Sequence, residues 1–156
     1  VTNLARAFPD ITIILNHFGG PIGVGSFADK RDEVFAQWQI DISELSNCEN
    51  VYAKLGGLQM DVNGFAWHKR PKPPSSSELM KATKRWHYHT IDAFGTNRCM
   101  FESNFPVDKF SCSYGVLWNS FKRLTEEFSP SEKADLFHDN AVKIYSIWKT
   151  NSINID

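Results

Sequence analysis

The chemistry open to this sequence rests on four side chains at the ends of apolar runs: His17, Lys54, Glu102 and Asn104. His17 closes a strand-like run just before a glycine-rich loop. An imidazole there suits metal ligation or general acid–base work near neutral pH, or it caps the strand end by hydrogen bonding. Lys54 and Glu102 are each flanked by apolar residues, and a lone buried charge is costly, so each anticipates the other as partner. Such a pair is either an interior ion pair or part of a proton-transfer system. Glu102, Ser103 and Asn104 precede a turn at Phe105-Pro106. Asn104 can hold a water or a substrate oxygen by hydrogen bonds, but its amide does not accept a proton near neutrality. Asp108, beyond the turn, either caps the next segment or reaches the site from the loop.

A second group, Trp67, His68 and Arg70 with Lys69 between them, lies in the long loop ending at Pro73-Pro74. Loops of that length are functional or unstructured, so these residues either contact substrate or sit in a solvated, proline-bounded stretch. Other patterns carry less. His87 and His89 look like a metal-binding pair, but they fall mid-helix, where positions two apart do not share a face. His138 lies in a stretch read as a turn between helices and is expected to be structural. Gly23, Gly25 and Ala28 match a dinucleotide-binding spacing. The glycines begin several residues after the strand, and the next strand lacks a ribose-binding acid, so a nucleotide-binding α/β module is only an alternative.

Three strand-then-helix units must position these groups. The first strand is read over Ile11–His17, the second over Val51–Leu55 and the third over Arg98–Asn104. Their continuous apolar character suits a parallel sheet buried on both faces. A helix over about 29–47 carries Val34, Phe35, Trp38, Ile42 and Leu45 on one face. A capping box at Ser75 and Glu78 starts a second helix, with Leu79, Ala82, Trp86 and Ile91 to one side and Gly95 as its stop. An amphipathic stretch holds Val116, Leu117, Phe121 and Leu124. A second capping box at Ser129 and Glu132 leads into a closing helix with Ala141, Ile144, Tyr145 and Trp148. Residues 150–156 are expected to fray. Side chains alternate along strands, so Ile13, Leu15 and His17 are expected on one side, Tyr52 and Lys54 on one side, and Met100, Glu102 and Asn104 on one side. The polar sets could then converge at the strand ends, where α/β folds collect their chemistry. Repeating strand and helix implies an open doubly wound sheet or part of a (β/α)₈ barrel.

Composition narrows the classes. The 156 residues are 42% hydrophobic and 22% charged, which suits one globular domain, and the net charge of −1 offers no nucleic-acid footprint. No apolar run reaches membrane-spanning length, and no signal peptide is visible. Cys48, Cys99 and Cys112 lack metal-type spacing, and Cys99 is expected to be a small buried thiol. A reduced, cytoplasmic setting is the expectation. The opening residues lack an initiator methionine and read as the last turns of a helix, as if the chain were a piece of something longer.

Three motifs in order, Leu15 to Pro21, Ala53 to Leu58 and Arg98 to Asp108, resemble the amidohydrolase-related family, in particular its TIM-barrel branch of lactonases such as fuconolactonase and pyrone-dicarboxylate lactonase. Phe137 to Tyr145 is similar to that family's closing helix. The resemblance implies that the whole chain, 1–156, is the C-terminal part of one (β/α)₈ barrel, with its strands the sixth, seventh and eighth. Full barrels run to about 250 residues, so the first five units, with the first-strand histidines that often hold a metal, would be missing and the fragment alone inactive. By resemblance His17 matches a strand-tip histidine that ligates metal or contacts a substrate carbonyl. Asn104 falls where the family usually places an aspartate that ligates metal and deprotonates water. One divalent ion, zinc or manganese, or metal-independent chemistry with Glu102 or His17 as base, are both implied. The intact protein would hydrolyse a small carboxylate-bearing lactone, ester or related C–O or C–N bond. Lys54, Arg70 or His68 would anchor substrate charge. A non-catalytic binding protein on a decayed barrel is the alternative.

Overall fold

Three parallel strands carry helices against one face in the computed structural model, which describes residues 1–147. Trp148 and the tail at 150–156 lie outside the described residues. The elements, in chain order, are α1 (Thr2–Ala7), β1 (Ile13–Leu15), α2 (Arg31–Ser46), β2 (Val51–Leu55), α3 (Ser76–Phe94), β3 (Cys99–Phe101), α4 (Tyr114–Leu124), α5 (Pro130–Ala134) and α6 (Asn140–Tyr145). The sheet order is β1-β2-β3, with Leu15 beside Ala53 and Lys54 beside Met100. Each strand is followed by a helix, so the α/β reading holds, while β1 and β3 are shorter than the apolar runs around them.

That shortening corrects the expected alternation on the first strand. Paired residues of parallel strands share a face, so Ile13 and Leu15 lie with Val51 and Ala53 on the helix side. Ile14 shares the opposite face with Tyr52. Alternation alone would turn His17 toward the helices. Instead His17 and Phe18 adopt φ of 52° and 56°, a left-handed kink that breaks the strand and redirects the imidazole. The Trp38 indole donates to the Phe18 carbonyl at 2.7 Å and pins the kink from α2. On β2 and β3 the alternation is as read: Val51, Ala53 and Leu55 are fully buried against helices, while Lys54 and Met100 share the other face.

Aromatic side chains bridge the elements of the core. Trp38 meets Phe35 and Trp86 between α2 and α3, and Phe101 stacks on Phe121 of α4 at 4.5 Å. Burying each such side chain contributes about 1.5–3 kcal/mol. His87 belongs to this core. It is 1% exposed, its Nδ1 pairs with the Thr83 carbonyl at 2.9 Å, and its ring meets Phe18 edge-on. Burial pushes its pKa down to about 4, so it packs as a neutral ring. Cys48, Cys99 and Cys112 are free and buried, and burial pushes the Cys99 thiol up to about 12.

Both capping boxes form, at Ser75 with Glu78 and at Ser129 with Glu132. His138 departs from its expected turn. Residues Asp135–Asp139 form one π-helical turn that joins α5 to α6 without a break. The glycine-rich loop after β1 is held by the loop after β2. The Gly23 amide donates to Val62, Asn63 donates to Pro21, and Arg31 donates to Gly64. A Cβ on Gly23 would run into the Asn63 carbonyl, so this glycine serves a loop-to-loop contact rather than a phosphate cradle.

Candidate active site

His17, Lys54 and Glu102 meet at the C-terminal ends of the three strands, Lys54 within β2 and the other two just past β1 and β3. His17 Nδ1 lies 2.6 Å from Glu102 Oε1, and Lys54 Nζ lies 3.8 Å from Glu102 Oε2. The Lys54–Glu102 pair anticipated from the cost of lone charges is therefore present, and His17 joins it through the kink. Nδ1 and Oε1 are both shut off from solvent, and neither makes a well-aligned hydrogen bond to the described residues, so the 2.6 Å approach is a close ionic contact. The imidazole's other nitrogen makes no hydrogen bond to the described residues. The Lys54 ammonium also sits 5.4 Å from the Tyr145 ring of α6. Side-chain exposures of 30%, 23% and 17% for His17, Lys54 and Glu102 leave the cluster reachable on the face away from the helices.

Two glycines after β2 let the three groups approach. Gly57 has φ +82°, and a Cβ there would lie 2.5 Å from His17 Nδ1; a Cβ on Gly56 would strike the Glu102 carbonyl. In sequence these glycines entered only as part of the Ala53 to Leu58 motif.

Asn104 lies past the end of β3 at φ 51°, a left-handed position that asparagine tolerates better than most residues. Its Nδ2 donates to Asp108 Oδ1 at 2.9 Å, and its carbonyl accepts the Asp108 amide at 3.1 Å. Asp108 is 0% exposed and its Oδ2 has no partner. Burial pushes the Asp108 carboxyl up to about 6, against the pull of the Asn104 amide and the His17 charge; the Glu102 charge adds to the rise. The sequence left Asp108 undecided, and only the fold shows a buried carboxyl electrically coupled to His17 and Glu102.

The long-loop residues are engaged elsewhere. Trp67 is 8% exposed and stacks on Phe65. Arg70 lies over the Trp67 ring and bonds Glu78 at 2.8 Å, so its contacts tie the loop to the start of α3. His68 faces Asp61 at 3.5 Å across a cavity of about 260 Å³ that Gln59, Met60, Val107 and Phe110 also line. That cavity adjoins the turn carrying Asp108, and Ser111 ties this turn to the Gln59 carbonyl at 2.5 Å.

A metal site is not assembled. Among the described residues no group of three His, Cys, Asp or Glu side chains could hold an ion. His17 supplies a single imidazole with Nδ1 committed to Glu102, and position 104 supplies a neutral amide, so the donors of this chain alone do not fit a divalent ion. No helix among the described residues is long and apolar enough to cross a membrane.

A family model described as amidohydrolase matches residues 1–147. The chain belongs to the amidohydrolase family. Among its relatives is an uncharacterized protein, y4mH, of Sinorhizobium fredii, 40% identical over 92% of this chain and 42% of its own length. The L-fucono-1,5-lactonase of Burkholderia multivorans is 26% identical over 86% of this chain and 43% of its own length. An amidohydrolase structure from Burkholderia multivorans with bound HEPES superposes with a TM-score of 0.78 at 26% identity, covering 94% of this chain and 48% of that one. A zinc-bound crystal form from the same organism gives 0.77 at 24% identity over the same shares. The chain thus spans less than half the length of the relatives it matches.

Proposed function

We propose that this chain is the C-terminal part of a single (β/α)₈ amidohydrolase barrel, contributing strands six to eight, and that the completed barrel hydrolyses a small carboxylate-bearing lactone or ester. The observation that carries the reading is the His17–Glu102–Lys54 cluster, set at the C-terminal ends of three parallel strands in a chain related to a lactonase. Catalytic groups of barrel enzymes sit at that end.

In this reading the free His17 nitrogen takes a proton from water while Glu102 holds Nδ1 and stabilises the imidazolium. The water oxygen bonds to the carbonyl carbon. The ring C–O bond then breaks, and the leaving oxygen takes the proton back from His17, giving a hydroxy acid. Lys54 anchors the substrate carboxylate or the developing oxyanion, and His68 serves substrate binding from its cavity. Arg70 and Trp67 act as supports of the long loop. A metal, if the missing half of the barrel supplies the remaining ligands, would polarise the carbonyl; no step above depends on it.

The test is hydrolysis of sugar-acid and pyrone-type lactones by the intact protein. The His17→Ala variant is expected to lose at least about a hundredfold in kcat/KM, and an unchanged rate removes His17 from the mechanism. The neutral amide at position 104 favours a second reading, a binding protein on a decayed barrel. Turnover by the wild type excludes it. Zinc or manganese uptake by Asn104→Asp would reveal a metal site one ligand short.

A further inference from the structure

Position 104 offers an amide, and an amide has two faces of opposite character: a carbonyl that accepts and an NH₂ that donates. Which face meets a ligand is decided by what holds the other. Here Nδ2 is taken by Asp108 Oδ1 at 2.9 Å, four residues on and fully buried. An ionised carboxylate only accepts, so the reverse orientation would set two acceptors against each other. The backbone locks the same two residues, since the Asp108 amide donates to the Asn104 carbonyl at 3.1 Å. The Asp108 carbonyl in turn accepts from Ser111 and Cys112, which fixes the turn from behind. Oδ1 of Asn104, two residues beyond Glu102, bonds to none of the described residues.

We propose that Asp108 is a positioning residue that fixes the Asn104 amide with its carbonyl oxygen toward the reaction site, making Asn104 an uncharged hydrogen-bond acceptor for the attacking water or a substrate hydroxyl. This rests on the hydrolase reading, and it divides the usual work of one carboxylate between two residues. Asn104 orients the nucleophile, and His17 takes the proton. Asp108 itself touches neither substrate nor water; it acts through Asn104.

The device depends on the charge state of Asp108. Once protonated, its carboxyl can donate to the amide carbonyl, and the amide is then free to turn over. The charged groups that act on it are His17 from beyond β1 and Glu102 from just past β3, with Lys109 beside it in sequence; the Asp61–His68 pair lies across the adjoining cavity.

The experiment has two independent arms. In the intact protein, the ¹⁵N-labelled Asn104 side-chain NH₂ is followed by NMR from about pH 8 to 5. Its resonances are expected to shift with a midpoint near the Asp108 value and to lose that response in Asp108→Asn; resonances that ignore pH overturn the proposal. In the second arm, Asp108→Ala, which removes the acceptor for Asn104 Nδ2, is expected to lower kcat for lactone hydrolysis by about tenfold or more with KM changed less than about threefold. The exchanged pair Asn104→Asp/Asp108→Asn, which restores a donor facing a carboxylate, is expected to recover most of it. Full activity in a folded Asp108→Ala overturns the proposal. A positive NMR arm with no turnover by the wild type leaves the positioning intact and sinks the hydrolase reading instead.

Discussion

Two buried groups give the protein opposing acid responses, and separating them tests the burial argument quantitatively. His87 is held at about 4 against an ordinary value of 6.5. Its folded pKa is depressed, so its contribution to stability is present above the unfolded value and is lost as pH falls. Asp108 is held at about 6 against 3.8. Its folded pKa is raised, so its contribution is present at low pH and lost as pH rises through 6. Between about pH 7.5 and 5 linkage gives a loss of about 2 kcal/mol from His87 and a gain of about 1 kcal/mol from Asp108. In the wild type these partly cancel. Urea unfolding of the wild type, His87→Phe and Asp108→Asn at both pH values isolates each term as a difference in slope. His87→Phe should gain about 2 kcal/mol relative to wild type on acidification, and Asp108→Asn should lose about 1 kcal/mol. Surface groups titrate equally in all three proteins and drop out. Parallel pH dependences in wild type and His87→Phe would refute the claim that the ring is buried neutral in the Phe18 and Phe121 cluster.

Glu102→Gln removes the charge that holds both His17 and Lys54, and kcat/KM for hydrolysis should fall about a hundredfold, read by initial rates. Trp38→Phe leaves the buried Phe18 carbonyl without its donor, which should cost about 1–3 kcal/mol by chemical denaturation and lower kcat as the His17 kink loosens. Ser75→Ala opens the capping box of α3 and should cost about 1 kcal/mol, read as a lowered thermal midpoint.

The Lys54–Glu102 pair was legible because the penalty on a lone charge in an apolar run is local information. The capping boxes were legible for a similar reason, since Ser75 and Glu78 lie one helical turn apart. What escaped was set by distant partners. His17 reaches the cluster only because its backbone turns left-handed, and the Trp38 indole that secures this turn arrives from 20 residues away. Glu78 was read as a cap alone, yet it also holds Arg70, which takes that guanidinium into the support of the loop. Asp108 shows the same limit. Its neighbours in sequence say nothing of the burial that raises its pKa or of the link to Asn104.

The paired glycines after β2 carry a consequence for how this protein can vary. Gly56 and Gly57 hold no functional group, yet a single methyl on either would occupy space claimed by Glu102 or His17. In a saturation library selected for activity, both positions should therefore accept almost nothing, as narrowly as the ionisable residues themselves. A survey that ranks positions by intolerance would mistake them for reacting groups. The active geometry is in part written in atoms that the chain leaves out.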